Sequence, residues 1–128
     1  MEKHSEEWFK QSDYDMDTAE FMYQGGRYIY AVFMCHLAVE KALKGLYHER
    51  LRDVPPRSHN LVYLLKKTET NPPEAIGKFL VRLSQSSIPT RYPENLARIQ
   101  QLFTESIVGD ILSRGKEVIE WIKQQLSK

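Results

Sequence analysis

The chain has 128 residues, 41% of them apolar and 27% charged, the balance expected of one soluble globular domain spanning residues 1–128. Eighteen Lys and Arg against seventeen Asp and Glu leave a net charge of +1, which excludes a strongly basic nucleic-acid binder and an acidic disordered tail. The lone Cys35 excludes an intrachain disulfide and a multi-cysteine zinc site, and the longest apolar run, residues 28–35, falls far short of the roughly 20 residues that span a bilayer.

Residues 1–8 hold no apolar stretch resembling a secretory signal, so the expected location is cytoplasmic, with no membrane contact. Ser5 followed by Glu6 and Glu7 predicts a helix start, with a hydroxyl for the free amides and carboxylates near the positive end of the dipole. Trp8, Ser12, Met16, Ala19 and Tyr23 then recur at helical steps, one face of a helix that runs to the Gly25-Gly26 break. A second helix over residues 27–51 is apolar on most sides through Ile29, Val32, Phe33, Leu37, Val39, Leu43 and Leu46, and should be the core element.

Asp53-Val54-Pro55-Pro56-Arg57 breaks that helix, since proline lacks an amide proton and constrains its predecessor. Ser58 is the expected cap of a short helix to about Lys67. After Thr70-Asn71-Pro72-Pro73, residues 75–86 continue helically with Ile76, Phe79, Leu80 and Leu83 inward. Residues 88–93, pinned by Pro89 and Pro93, read as extended or a turn, and residues 94–102 as a short helix or irregular chain. Thr104 and Glu105 open the last helix, whose stripe is Ile107, Val108, Ile111, Leu112, Val118, Ile119, Ile122 and Leu126. No segment alternates as a strand does. The expected fold is all-α, an up-and-down four-helix bundle with one or two additional short helices.

The even total charge hides a gradient. Residues 1–26 carry two basic and seven acidic side chains, and residues 27–67 carry eight basic and three acidic. Either the first helix neutralises the second segment inside the fold, or a locally basic surface is left to meet phosphate.

Nucleotide-loop and nucleophile-elbow motifs are absent, and no Glu-x-x-His pair of the di-iron type occurs, so neither a cofactor nor a metal site is expected. Cys35 lies in the apolar run and reads as a small core residue. What remains is a polar line, His36, Glu40 and Lys44, spaced four residues apart along an otherwise apolar helix. Glu40 before Lys44 is the favourable order for an ion pair. The row is either a paired lining of the bundle or one wall of a groove that faces an anion. Arg50, Arg52 and Arg57 precede His59, which reads either as a packing residue or as part of a phosphate site at a helix start. Arg91-Tyr92-Pro93 is a loop anchor, or a guanidinium and an aromatic face suited to phosphate contact and stacking.

Residues 31–46, AVFMCHLAVEKALKGL, resemble the central helix of the HEPN domain family. So do the preceding Trp8, Ser12, Asp15, Met16 and Ala19 series ending in Gly26-Arg27-Tyr28, the Ser58-His59-Asn60-Leu61 step and Arg91-Tyr92-Pro93-Glu94. Together these cover nearly the whole chain in the family's order. The resemblance implies a helical bundle, commonly a homodimer, named for nucleotide binding. Small members are often encoded beside a minimal nucleotidyltransferase and can form toxin–antitoxin pairs with it.

Many family members are metal-independent ribonucleases that use an Arg followed after four to six residues by a His, usually near the last helix. In that chemistry the His acts on the ribose 2′-hydroxyl and the Arg stabilises the phosphorane charge. Here no His follows position 59, so Arg91 and the last helix cannot carry the motif. Arg52 and His59 have the spacing, but across the Pro55-Pro56 loop. The expected function is therefore a non-catalytic HEPN-type module that binds a nucleotide or a nucleotidyltransferase partner through His36, Glu40, Lys44, His59, Arg91 and Tyr92. A ribonuclease acting on RNA through Arg52 and His59 is one alternative, and a purely structural helical dimer is another. Dimerisation is what the resemblance implies, and the aromatic-rich Tyr14, Phe21, Tyr23 and Tyr28 region is in keeping with it.

Overall fold

The computed structural model describes residues 1–128, and every regular element in it is a helix. Helices α1 (Lys3–Gln24) and α2 (Tyr28–Leu51) form a hairpin across Gly25 and Gly26. Gly26 takes φ 74°, a left-handed conformation that a side chain would strain, which fixes the break at this point. Helices α3 (Leu61–Lys67) and α4 (Glu74–Gln85) follow the two proline pairs, α5 (Ser87–Arg91) and α6 (Leu96–Leu102) are short, and α7 (Glu105–Gln125) closes the bundle. No helix is long and apolar enough to cross a membrane.

Helix α2 is the central element, packed against α1, α3, α5, α6 and α7. Small residues on it set how closely its neighbours approach. A Cβ at Gly45 would lie 2.7 Å from Phe9 Cε2 of α1, and one at Gly115 of α7 would lie 2.5 Å from Cys35 Sγ of α2. Around these contacts Val32, Val39, Leu43 and Leu46 meet Leu61 and Leu64 of α3, Leu80 and Leu83 of α4, and Val108, Leu112 and Ile122 of α7. Each such side chain contributes about 1.5–3 kcal/mol when fully buried.

Polar contacts give the helix directions. The Glu2 amide donates to Glu49 Oε1 at 2.9 Å, and the Ser12 hydroxyl donates to the Ala38 carbonyl at 2.6 Å, so α1 and α2 are antiparallel. Tyr23 donates to the Glu105 carbonyl at 3.2 Å, and Lys123 pairs with Asp13 at 2.9 Å, so α7 also runs against α1. The Arg50 guanidinium gathers the far end by donating to the Thr68 carbonyl, the Thr70 hydroxyl and the Gln125 carbonyl, the last at 3.0 Å. Arg50 is thereby a structural clamp. The acidic first helix is partly neutralised within the fold, through Asp15–Lys41 at 2.8 Å, Asp13–Lys123 and Glu20–Lys116.

Several element ends differ from the sequence expectation. Helix α1 begins before Ser5, because the Glu2 carboxylate accepts from the His4 and Ser5 amides and Ser5 is fully buried inside the first turn. The cap of α3 is Asn60, whose side chain accepts from the Tyr63 amide, while Ser58 Oγ accepts from the Asn60 amide one step earlier. Residues 88–91 of the 88–93 segment expected extended or a turn form helix α5 together with Ser87, so the short helices number three. Pro89 fits there because first-turn amides have no partner within the helix, while its missing N–H separates α5 from α4. Asn95 caps α6, so residues 96–102 take the helical alternative. Thr104 caps α7 as expected, but Ile107 of its stripe is 39% exposed.

Candidate functional site

The polar row of α2 lies inside the protein. His36 and Glu40 are almost fully buried and Lys44 is 9% exposed. Lys44 Nζ donates to Glu40 Oε2 at 3.0 Å and sits 5.7 Å above the Trp8 ring of α1. This satisfies the ammonium with a carboxylate and an aromatic face rather than with a ligand. The other carboxylate oxygen, Glu40 Oε1, lies 2.9 Å from His59 Nδ1 and 3.8 Å from His36 Nδ1. Burial pushes the His36 imidazole down to about 4, with Arg91 and His59 adding to the shift and Glu40 opposing it, so His36 is neutral near pH 7. Its Nε2 is buried without a hydrogen-bond partner.

A carboxylate only accepts, so His59 Nδ1 carries the proton toward Glu40 and its Nε2 is left for other contacts. The His59 side chain is 60% exposed. It stands on the irregular segment between α2 and α3, which is anchored by the Leu61 amide donating to Ser84 Oγ at 3.2 Å. Across from it, α5 packs on α2 and lays the Arg91 guanidinium 4.7 Å above the Phe33 ring. Arg91 takes part in no ion pair. Tyr92, the residue that ends α5, is 69% exposed.

His59, Asn60, Ser84, Ser87, Ile88, Arg91 and Tyr92 together line a cleft of about 390 Å³. Of the six residues expected at the binding surface, His59, Arg91 and Tyr92 line this cleft. His36, Glu40 and Lys44 sit behind it, and Glu40 orients His59. The cleft offers an unpaired guanidinium, two hydroxyls, an amide and an aromatic face, a set that suits a phosphate ester carrying a planar group.

Arg52 and His59 are not brought together within the chain. Arg52 is the left-handed cap of α2, φ 53°, with its guanidinium 3.5 Å from Glu49 Oε2. That position lies about 18 Å along the helix from Glu40, on which His59 rests. In the aromatic region, Tyr14 and Phe21 are exposed, at 73% and 76%. Tyr23 and Tyr28 instead pack on each other at 5.6 Å, and burial beside Glu105 and Tyr23 raises the Tyr28 phenol.

The sequence reading missed two features. A larger cavity of about 530 Å³ opens between residues 26–30 and residues 96–105, with Arg27, Tyr30, Gln100 and Glu105 among its walls. Its two sides are far apart in sequence, and the expectation for residues 94–102 left one of them undefined. Glu2, His4 and His48 also meet at the open end of the α1–α2 hairpin. Antiparallel pairing across Gly25-Gly26 is the signal that links those positions.

No curated protein matches the sequence. Among solved structures, TT1696 from Thermus thermophilus is 24% identical with a TM-score of 0.83, over 96% of this chain and 98% of that one. ST0689, described as an archaeal HEPN homologue, is 29% identical with a TM-score of 0.79, over 98% and 99% of the two chains. Residues 5–125 match the HEPN domain, nearly the whole bundle described above. The chain belongs to the HEPN domain family.

Proposed function

We propose that this HEPN-domain chain is a non-catalytic module that binds the phosphate of a nucleotide in the Arg91 cleft. The observation that carries this reading is the Arg91 guanidinium, which has no carboxylate partner and shares a cleft of about 390 Å³ with His59, Ser84, Ser87 and Tyr92. A guanidinium held on an aromatic ring keeps its charge and donates in a fork that matches phosphate oxygens. Tyr92 supplies a face for the base, and Asn60 and Ser87 supply hydrogen bonds for the sugar. The partner this module serves is a nucleotidyltransferase, as in the two-component toxin–antitoxin pairs of the family, and the working unit is a homodimer.

The non-catalytic part of the reading is supported by the separation of Arg52 from His59 and by the engagement of His59 Nδ1 with Glu40. RNA incubated with the pure protein in EDTA stays intact on this account. Titration of the full chain with ATP, GTP and inorganic phosphate tests the binding. Saturable nucleotide binding is expected, weakened about tenfold or more by Arg91→Ala, because a hydrogen bond to a charged group contributes about 1.5–3 kcal/mol. Absence of saturable binding, or binding indifferent to Arg91→Ala, removes the proposal.

A further inference from the structure

Where the start of α1 crosses the end of α2, the Glu2 carboxylate lies between two imidazoles. His4 Nδ1 is 2.9 Å from Glu2 Oε1, and His48 Nε2 is 3.3 Å from Glu2 Oε2. The two rings stack with centroids 5.0 Å apart, and one ligand atom from each residue lies within 4.8 Å of the others. We propose that Glu2, His4 and His48 form a binding site for a divalent transition-metal ion of the zinc type, with its remaining position open to water.

The donor set and its spacing both carry this. Two imidazoles and one carboxylate suit zinc and its neighbours and not magnesium or calcium, which take oxygen ligands. Tetrahedral bonds of about 2.0–2.1 Å put adjacent donor atoms about 3.3 Å apart, and each imidazole stands near that spacing from one oxygen of the same carboxylate, His4 Nδ1 at 2.9 Å from Oε1 and His48 Nε2 at 3.3 Å from Oε2. The three donor atoms already lie within 4.8 Å of one another, and the His4 side chain, 74% exposed, has room to adjust.

A second observation comes from His48. Its side chain is 13% exposed and its Nδ1 is buried with no hydrogen-bond partner. The ring is therefore held by packing and by Glu2 alone, and no other polar contact in the fold employs it. The ring nitrogen that faces Glu2 is Nε2, so Nε2 is the donor an ion would take, and the buried Nδ1 is the nitrogen that keeps the proton. The Glu2 backbone is already tied to Glu49, so the carboxylate is fixed before an ion arrives.

The test is calorimetric titration of the EDTA-stripped full chain with ZnCl2, with metal content after dialysis measured in parallel. About one ion per chain is expected, and His4→Ala, at an exposed position that leaves the fold intact, weakens binding by about tenfold or more. His59→Ala removes the chain's other strongly exposed imidazole and keeps the ion. Cobalt in place of zinc gives the visible absorption of a four-coordinate site in the wild type and loses it in His4→Ala. An ion content near zero, or binding unchanged by both His4→Ala and His48→Gln, overturns the proposal. This outcome is independent of nucleotide binding in the Arg91 cleft.

Discussion

Glu40→Ala is the sharpest probe of how the polar row is held. The carboxylate is 3% exposed and is the only ion-pair partner of Lys44. Its removal leaves an ammonium among Trp8 and the α2 core with nothing opposite it, which in general costs about 3–5 kcal/mol. The Lys44 side chain retains 11% exposure and a flexible stem that can turn toward water, which puts the effect at the lower end, about 3 kcal/mol. At about 2.1 cal/mol/K per residue, unfolding a chain of 128 residues carries about 0.27 kcal/mol/K, so Tm falls by roughly 11 °C. Thermal unfolding followed by circular dichroism measures this directly. The double variant Glu40→Leu with Lys44→Met returns to within about 1 kcal/mol of wild type, because an apolar pair of similar volume removes both desolvation penalties. A fall of less than about 3 °C for Glu40→Ala, or a double variant no more stable than the single one, refutes a buried, mutually dependent pair.

Three further expectations follow from the same packing. The folded pKa of His36 is about 4 against an ordinary 6.5, so the unfolded chain binds the proton first as pH falls. Its contribution is complete above about 6.5 and is lost toward 4, up to about 3 kcal/mol, and His36→Gln flattens that part of a urea-stability profile against pH. Gly45→Ala forces the Phe9 ring to move and destabilises by about 1–2 kcal/mol after the helix-propensity gain, with Phe9→Leu recovering part of the loss. Burial pushes the Cys35 thiol up to about 12, so a disulfide reagent labels the native protein only at its unfolding rate, and fast labelling contradicts the buried assignment.

Much of the fold was legible because its signals are local. Apolar steps of three and four residues, the Gly25-Gly26 break, the Pro55-Pro56 and Pro72-Pro73 pairs and the Thr104 cap each act within a turn or two of chain. Helix α5 was not legible, since Pro89 is equally compatible with a turn and with the first turn of a helix, and what decides is docking of this segment on α2. The cap at Glu2 was obscured by Ser5, a better cap by residue type, because the anchor is Glu49 at the other end of the hairpin.

The candidate site divides in the same way. The spacing of His36, Glu40 and Lys44 showed that they share a face, but residue type points charged groups outward, and their burial arises from the contacts with Trp8 and His59. Arg91 and Tyr92 were singled out by composition, whereas Ser84 and Ser87 joined them only through the path of α4 and α5. The imidazole pair depends on the register of α1 on α2, which sets residue 2 beside 49, 12 beside 38 and 23 beside 28.

The most direct test of the central claim is a map of backbone amide chemical shifts during titration of the full chain with ATP. On this account the perturbed amides cluster at His59, Asn60, Ser84, Ser87 and Tyr92, and Arg91→Ala abolishes the pattern. Shifts confined to residues 26–30 and 96–105 would assign the nucleotide to the larger cavity, and an unchanged spectrum at millimolar ATP would contradict nucleotide binding by this chain.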